Sequence, residues 1–184
     1  MTETSDPVVR AVLDAAVDTT GATAGWVLAV VGARLEAVAV AGLASGSALV
    51  GAHVALGAGT AGFVASTGNP LALTGASRDV RLTDGFVALT GLEPASVLCV
   101  PCLGGDDVTG VIELVNDADG AFGFDDVEVT TVLARVAAAA LTARHERHAP
   151  DPASLASRLS QLARADPGRY AGVALAIDAL LPRG

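Results

Sequence analysis

Lysine is absent from this chain of 184 residues: its 11 basic residues are all arginine, 20 acidic residues outnumber them, and the formal net charge is −9. An acidic balance excludes nucleic acid as a partner, because contact with phosphates needs a basic patch. The missing lysine, together with the excess of alanine and glycine, points to a GC-rich genome rather than to a mechanism. Long apolar runs are missing as well. None approaches the ~20 residues that span a bilayer, so no membrane partner is expected. The opening MTETSDPVVR lacks the basic start and apolar core of a signal peptide, and a cytoplasmic location is the expectation. Cysteine is reduced to Cys99 and Cys102, a CxxC with no second pair to complete a zinc site. A redox CxxC works at a helix N-terminus. This one falls in an apolar run that reads as a strand, where positions three apart point to opposite faces. Two buried core thiols are therefore expected. Of the histidines, His145 and His148 sit on the last turn of a long helical segment, where a cation suits the helix dipole, and His53 stands alone. No Ser/His/Asp order and no carboxylate pair marks a catalytic centre, so no enzyme activity is expected.

What is present is apolar and finely punctuated. Hydrophobic residues make up 52% and charged residues 17%, the composition of a packed globular chain. The length suits one domain with a short appendage. Gly57-Ala58-Gly59-Thr60-Ala61-Gly62 matches the GxGxxG dinucleotide fingerprint. That fingerprint needs a strand before it, a long helix after it and an acidic residue about 20 positions on. Ala48 to Leu56 offers a strand and Asp79 an acid, but Thr67-Gly68-Asn69-Pro70 stops the helix after roughly two turns. A βαβ crossover needs about a dozen residues or more, and dinucleotide binding is rejected. Elsewhere, Ser5 or Asp6 caps a first helix with Pro7 at its first position and Gly21 at its end. Gly25 to Val31 and Arg34 to Ala41 form a hairpin around Gly32. Pro70 to Thr74 is a short strand, and Gly75 to Pro94 a long polar loop with a helical turn at Thr83 to Leu89. Val97 to Val115 forms two strands joined by Gly104-Gly105-Asp106-Asp107. A helix then runs from Asp125 to about His148, with Val129, Val132, Leu133, Val136, Ala140 and Leu141 along one face.

Four of these pieces stand in an order that resembles the GAF domain family: the glycine-rich turn and short helix ending in STGNPLAL, the strand from Ser96 to Pro101, the strand GVIELVN from Gly110 to Asn116, and Phe122 with Asp126 opening the long helix. The resemblance covers roughly residues 5–148. It implies an α+β fold, PAS-related, with a central antiparallel sheet, the N- and C-terminal helices packed on one face and a small-molecule pocket on the other. Residues 1–148 are then the sensory domain, and residues 149–184, with Leu155, Leu159 and Leu162 before Asp166-Pro167-Gly168 and Tyr170, Val173 and Ile177 after it, a helical hairpin. That tail is too short for an output enzyme and too poor in basic residues for a DNA reader.

The same resemblance points to ligand-binding residues. Trp26, Phe63 and Phe86 are the aromatics placed to wall a pocket. Arg78, Asp79 and Arg81 populate the loop that would roof it, and arginine there would suit a carboxylate or phosphate. Glu113 interrupts an apolar strand, so its carboxylate lies either on a solvated face or in a polar pocket. Cys99 is the thiol that would face the pocket. Haem-binding relatives place a histidine in the long loop and bilin-binding relatives a cysteine; Ala76-Ser77-Arg78-Asp79 supplies neither, so no cofactor is expected beyond an unidentified small molecule. Cyclic-nucleotide-binding relatives carry an Asn-Lys-Phe-Asp-Glu pattern, of which Asn116, Phe122 and Asp126 match while Asp117 and Val127 depart. Relatives that reduce free methionine sulfoxide use cysteines in the pocket and its loops; the loop Gly75 to Pro94 has none, which leaves a thiol-based reductase as the most remote reading. The expectation is a non-enzymatic sensory module, a homodimer through its first and long C-terminal helices, signalling to a protein partner. The competing reading is a closed-pocket scaffold for dimerisation or docking, since the small residues of Ala37 to Gly62 leave few side chains to grip a polar ligand.

Overall fold

Residues 6–76, 85–117, 120–148 and 151–180 are described in a computed structural model of the chain. Helix α1, Pro7–Thr20, starts where the Asp6 carboxylate accepts the Val8 N–H at 3.0 Å and stops at Gly21, which takes the left-handed conformation at φ 67°. The chain then makes strands β1 (Ala22–Val31) and β2 (Arg34–Ala41), a single helical turn α2 (Gly46–Leu49), a short strand β3 (His53–Ala55), helix α3 (Gly59–Thr67) and strand β4 (Leu71–Thr74). Short helix α4 (Phe86–Thr90), the hairpin of β5 (Ser96–Gly104) and β6 (Asp107–Asp117), and the long helix α5 (Phe124–His148) follow. The segment Ala48 to Leu56 is thus not one strand: it holds the end of α2, a turn and β3. The strands form one six-stranded antiparallel sheet in the order β3-β2-β1-β6-β5-β4. This is the α+β architecture expected from the sequence.

Both faces of the sheet are covered, and strand alternation assigns each residue to one of them. Val27, Ile112, Leu114, Leu98 and Val100 pack with Val9, Leu13 and Ala16 of α1 and Ala134, Ala137, Ala138 and Leu141 of α5. On the opposite face Trp26, Leu28, Val111, Val115 and Cys99 pack with Ala61 and Val64 of α3 and Phe86 and Val87 of α4.

Two close approaches depend on glycine. A Cβ on Gly62, inside α3, would lie 2.4 Å from the carbonyl carbon of Gly57, so the turn folds directly onto the first turn of the helix. The GxGxxG pattern therefore serves backbone packing. A Cβ on Gly110 would lie 2.6 Å from a methyl group of Leu141, which lets α5 settle onto β6.

The register of α5 differs from the stripe read in the sequence. Thr130, Ala134, Ala137, Ala138 and Leu141 are buried, whereas Val132 and Val136 are 55% and 47% exposed. Small residues win the inner face because the sheet below is close. Ala137 and Ala138 thereby cover the sheet, and larger aliphatics are left outside.

The described residues up to Arg144 and those from His145 onward form two compact units. In the second, helices α6 (Pro152–Ala165) and α7 (Pro167–Leu180) make a hairpin in which Asp151 caps α6 and Asp166 accepts the Arg169 N–H at 3.0 Å. No residue of α6 is fully buried. Among the described residues, no helix is long and apolar enough to cross a membrane.

Alanine usually stabilises a helix interior relative to glycine by about 1 kcal/mol. At position 62 the sign should invert: Gly62→Ala is expected to destabilise by about 1–3 kcal/mol, the ordinary range for overpacking. Urea unfolding reads this directly, and a stability equal to or above that of the parent chain would show that the turn does not need the contact.

Candidate functional site

Directly paired residues place five side chains in one row across the face under α3 and α4: Val40 on β2, Trp26 on β1, Glu113 on β6, Cys99 on β5 and Leu71 on β4. Glu113 is the centre of the row and has no exposed surface, like Trp26, Cys99 and Phe86. The alternative of a solvated face is therefore excluded for its carboxyl group.

Both carboxyl oxygens have donors. The indole Nε1–H of Trp26 donates to Oε2 at 2.6 Å, and the hydroxyl of Thr60, itself 1% exposed, hydrogen-bonds to Oε1. Thr60 stands at the second position of α3, so the glycine turn that folds onto this helix also aims the hydroxyl. Phe86 completes the arrangement: its ring lies 5.2 Å from that of Trp26, tilted by 48°. Such tilted aromatic contacts add to the area buried.

Burial raises the pKa of Glu113 above the ordinary carboxyl value, and the hydrogen bonds from Thr60 and Trp26 oppose that rise. Burial likewise pushes the Cys99 thiol well above its usual value, with the neighbouring charge of Glu113 and then Cys102 adding to it. Cys102 is pushed by burial up to about 12. The two thiols belong to opposite faces of β5, Cys99 packing under α3 and α4 and Cys102 against the α1–α5 layer. Neither is a ready nucleophile or metal ligand. Among the described residues no group of three or more His, Cys, Asp or Glu side chains is placed to hold a metal ion.

Trp26, Phe86, Cys99 and Glu113 are thus brought together. Phe63 is not: it is 42% exposed on the outer side of α3. Arg78, Asp79 and Arg81 lie outside the described residues. Thr60 is the residue that sequence reasoning missed; its signal was a hydroxyl at a helix start, concealed inside a motif read for its glycines. Of the matches, Asn116 and Asp126 serve the chain's turns and Phe122 its core. Asn116 adopts φ 57° and its amide oxygen accepts the Ala95 N–H at 2.7 Å, Asp126 accepts the Gly123 N–H at 2.8 Å, and Phe122 is buried on the α1–α5 side.

A second feature lies on the far side of the domain. Pro7, Val8, Ala11, Val12 and Ala15 of α1 and Leu133 and Val136 of α5 line a groove of about 440 Å³. Val8 is 48% exposed there. The flanking charge of Arg10 is held by Asp14 at 2.9 Å.

Comparison with known proteins agrees with this geometry. The family model described as GAF domain matches residues 2–142. The solved GAF domain of an Acinetobacter phosphoenolpyruvate-protein phosphotransferase is 18% identical, with 78% of this chain and 96% of that one covered at a TM-score of 0.65. A type II free methionine-R-sulfoxide reductase from Thermoplasma acidophilum is 15% identical, with 74% and 89% covered at a TM-score of 0.58. At these identities the likeness concerns the fold. A probable 3',5'-cyclic phosphodiesterase of Caenorhabditis elegans is 37% identical over 76 residues, which span 41% of this chain and 10% of that protein.

The raised Glu113 pKa sets the sign of a pH effect. A carboxyl group that holds its proton more tightly when folded contributes stability that is fully present below the unfolded value, about 4.3, and is lost as pH rises through the folded value. Glu113→Gln has no proton to lose. Its stability relative to the parent chain is expected to rise from pH 4 towards neutrality, as read by urea unfolding at several pH values. A difference that stays flat across that range would mean that the carboxyl group is not buried as described. The thiols supply a second check. Neither Cys99 nor Cys102 should react with a disulfide reagent in the native protein on the timescale on which both react in denaturant; rapid native labelling would contradict their burial.

Proposed function

The chain belongs to the GAF domain family, a family of sensory and regulatory modules, and from that premise we propose that it is a non-enzymatic module in which a small molecule enters beside Glu113 and the change is passed to a dimer formed by α1 and α5. The observation that carries the binding half is the buried carboxyl group itself. A fully buried glutamate held by only two donors, on a face otherwise built of alanine, valine, leucine and aromatic side chains, is a costly way to pack a core. Apolar residues of similar volume often do as well or better. Buried titratable groups whose pKa is displaced by their surroundings gather at functional sites. Trp26 and Phe86 fill the ligand's place in the unliganded arrangement, and binding selects a form in which they move.

The dimer half rests on the outer surface of the helices. Val132 and Val136, one turn apart on α5, are 55% and 47% exposed. Val136 also lines the apolar groove with α1. A two-fold interface sets the same patch of each copy against the other, and this patch is apolar enough to serve. No catalytic step is proposed: the thiols are too deeply protonated and too far apart in orientation to act as a reducing pair. A scaffold without a ligand is the second reading, favoured by the tight filling of the Glu113 face by Trp26 and Phe86.

Val136→Glu places a charge in the groove while leaving the folded monomer within about 0.5 kcal/mol of the parent, as is usual for an exposed position. Sedimentation equilibrium is expected to give a dimer for the parent chain and a monomer for the variant. A monomeric parent, or a variant that remains dimeric, removes the helical interface from the proposal.

A further inference from the structure

The chemistry beside Glu113 also selects among ligands, on the reading that this face is a binding site. Among the described residues, the polar atoms that meet there are two carboxyl oxygens, the Trp26 N–H, the Thr60 hydroxyl and the weakly polar Cys99 thiol. Both strong donors already point at the carboxyl group. A carboxylate offers about four acceptor positions, so two remain directed into apolar surroundings. A buried acceptor with unused capacity is matched by a donor, and a charged donor is worth roughly twice a neutral one. The described arginines beside the sheet are engaged elsewhere: Arg10 is held by Asp14, and Arg34 and Arg144 approach Glu36 at 4.0 and 3.5 Å. An anion brought to this face would meet the Glu113 carboxyl group.

We infer that the ligand is a compact primary ammonium compound with a flat apolar body, whose N–H donors fill the free positions on Glu113 or replace Thr60 and Trp26 there, and whose body takes the place of the Phe86 ring. The size of the apolar part follows from what it displaces. Phe86 is fully buried against Trp26 and belongs to a helix of five residues, so a single ring is the unit that this face can exchange. Discrimination is built in as well: a neutral isostere leaves the carboxylate without its cation, and an anionic one adds a like charge in a medium of low dielectric constant.

Trp26 is the sole tryptophan, and its indole N–H resonance reports on this hydrogen bond without interference. Titration of the full chain at neutral pH with benzylamine, benzyl alcohol and benzoate separates the cases. Benzylamine is expected to shift the indole resonance in a saturable way and to bind about tenfold or more tightly than the alcohol, the worth of one charge-assisted hydrogen bond. Benzoate is expected not to bind. In Glu113→Gln the preference for the amine over the alcohol should collapse to about one. Thr60→Val, which frees an acceptor position while leaving the carboxyl group, should bind the amine at least as tightly as the parent and keeps the test open if the Gln variant folds poorly. Equal binding of alcohol and amine, or binding of benzoate, overturns the ammonium class while leaving a ligand site beside Glu113. Failure of all three to move the Trp26 resonance overturns the inference and speaks for the filled scaffold.

Discussion

A single buried carboxyl group organises the side of the sheet that faces α3 and α4. Glu113 sits mid-strand in β6, and its two oxygens tie together an indole from β1 and a hydroxyl from the start of α3. The positions of three elements are thereby linked through one side chain. The glycines of the preceding turn permit it, because Gly62 lets the chain at Gly57 press against the helix whose first turn carries Thr60. Moving any one of these groups would leave a buried polar atom without a partner, which costs about 1–3 kcal/mol. The carboxyl group therefore gives this face a definite arrangement at the expense of stability, and that exchange is the physical basis for regarding it as a site.

The opposite side follows a different rule. Alanines and a threonine of α5 lie against a sheet that glycine makes approachable, and the helix comes in close. The consequence is geometric. When small residues occupy the inner face of an amphipathic helix, its larger aliphatic residues turn outward, and α1 and α5 together present an apolar surface. This apolar surface is the basis of the proposed dimer. The two faces of one sheet are joined by strands whose alternate residues belong to each, so Trp26, Glu113 and Cys99 are one residue away from Val27, Ile112 and Val100. The coupling proposed between the two sides would run through these neighbouring residues.

Much of this was legible in the sequence. Asp6-Pro7 and Gly21 bracket α1, Arg34 to Ala41 is β2 as read, and the proline and glycine stops place α3 and β4 within a residue or two. The separation of Cys99 and Cys102 onto opposite faces followed from strand periodicity alone. The failures have physical causes. The stripe along α5 was grouped by size, which put Val132 and Val136 on one face with Leu141, although the spacing of alanine and threonine fitted the helix equally well; the close sheet separates them, burying Leu141 and leaving the two valines outside. Ala48 to Leu56 read as a strand because apolar content does not distinguish β3 from the turns beside it. Glu113 was noticed as an interruption, but its burial depends on Trp26 and Thr60, which lie 87 and 53 residues away in sequence. Phe63 was chosen for its type, and a helix of nine residues has an outer side where even phenylalanine is exposed.

The central claim, that the Glu113 face takes up a small molecule, is tested most directly by native mass spectrometry of the full chain purified without dialysis, beside its denatured mass and beside Glu113→Gln. The account predicts a mass excess on the native parent chain that disappears on denaturation and is missing from the variant. A native parent at the bare chain mass, or the same excess on both proteins, would contradict it.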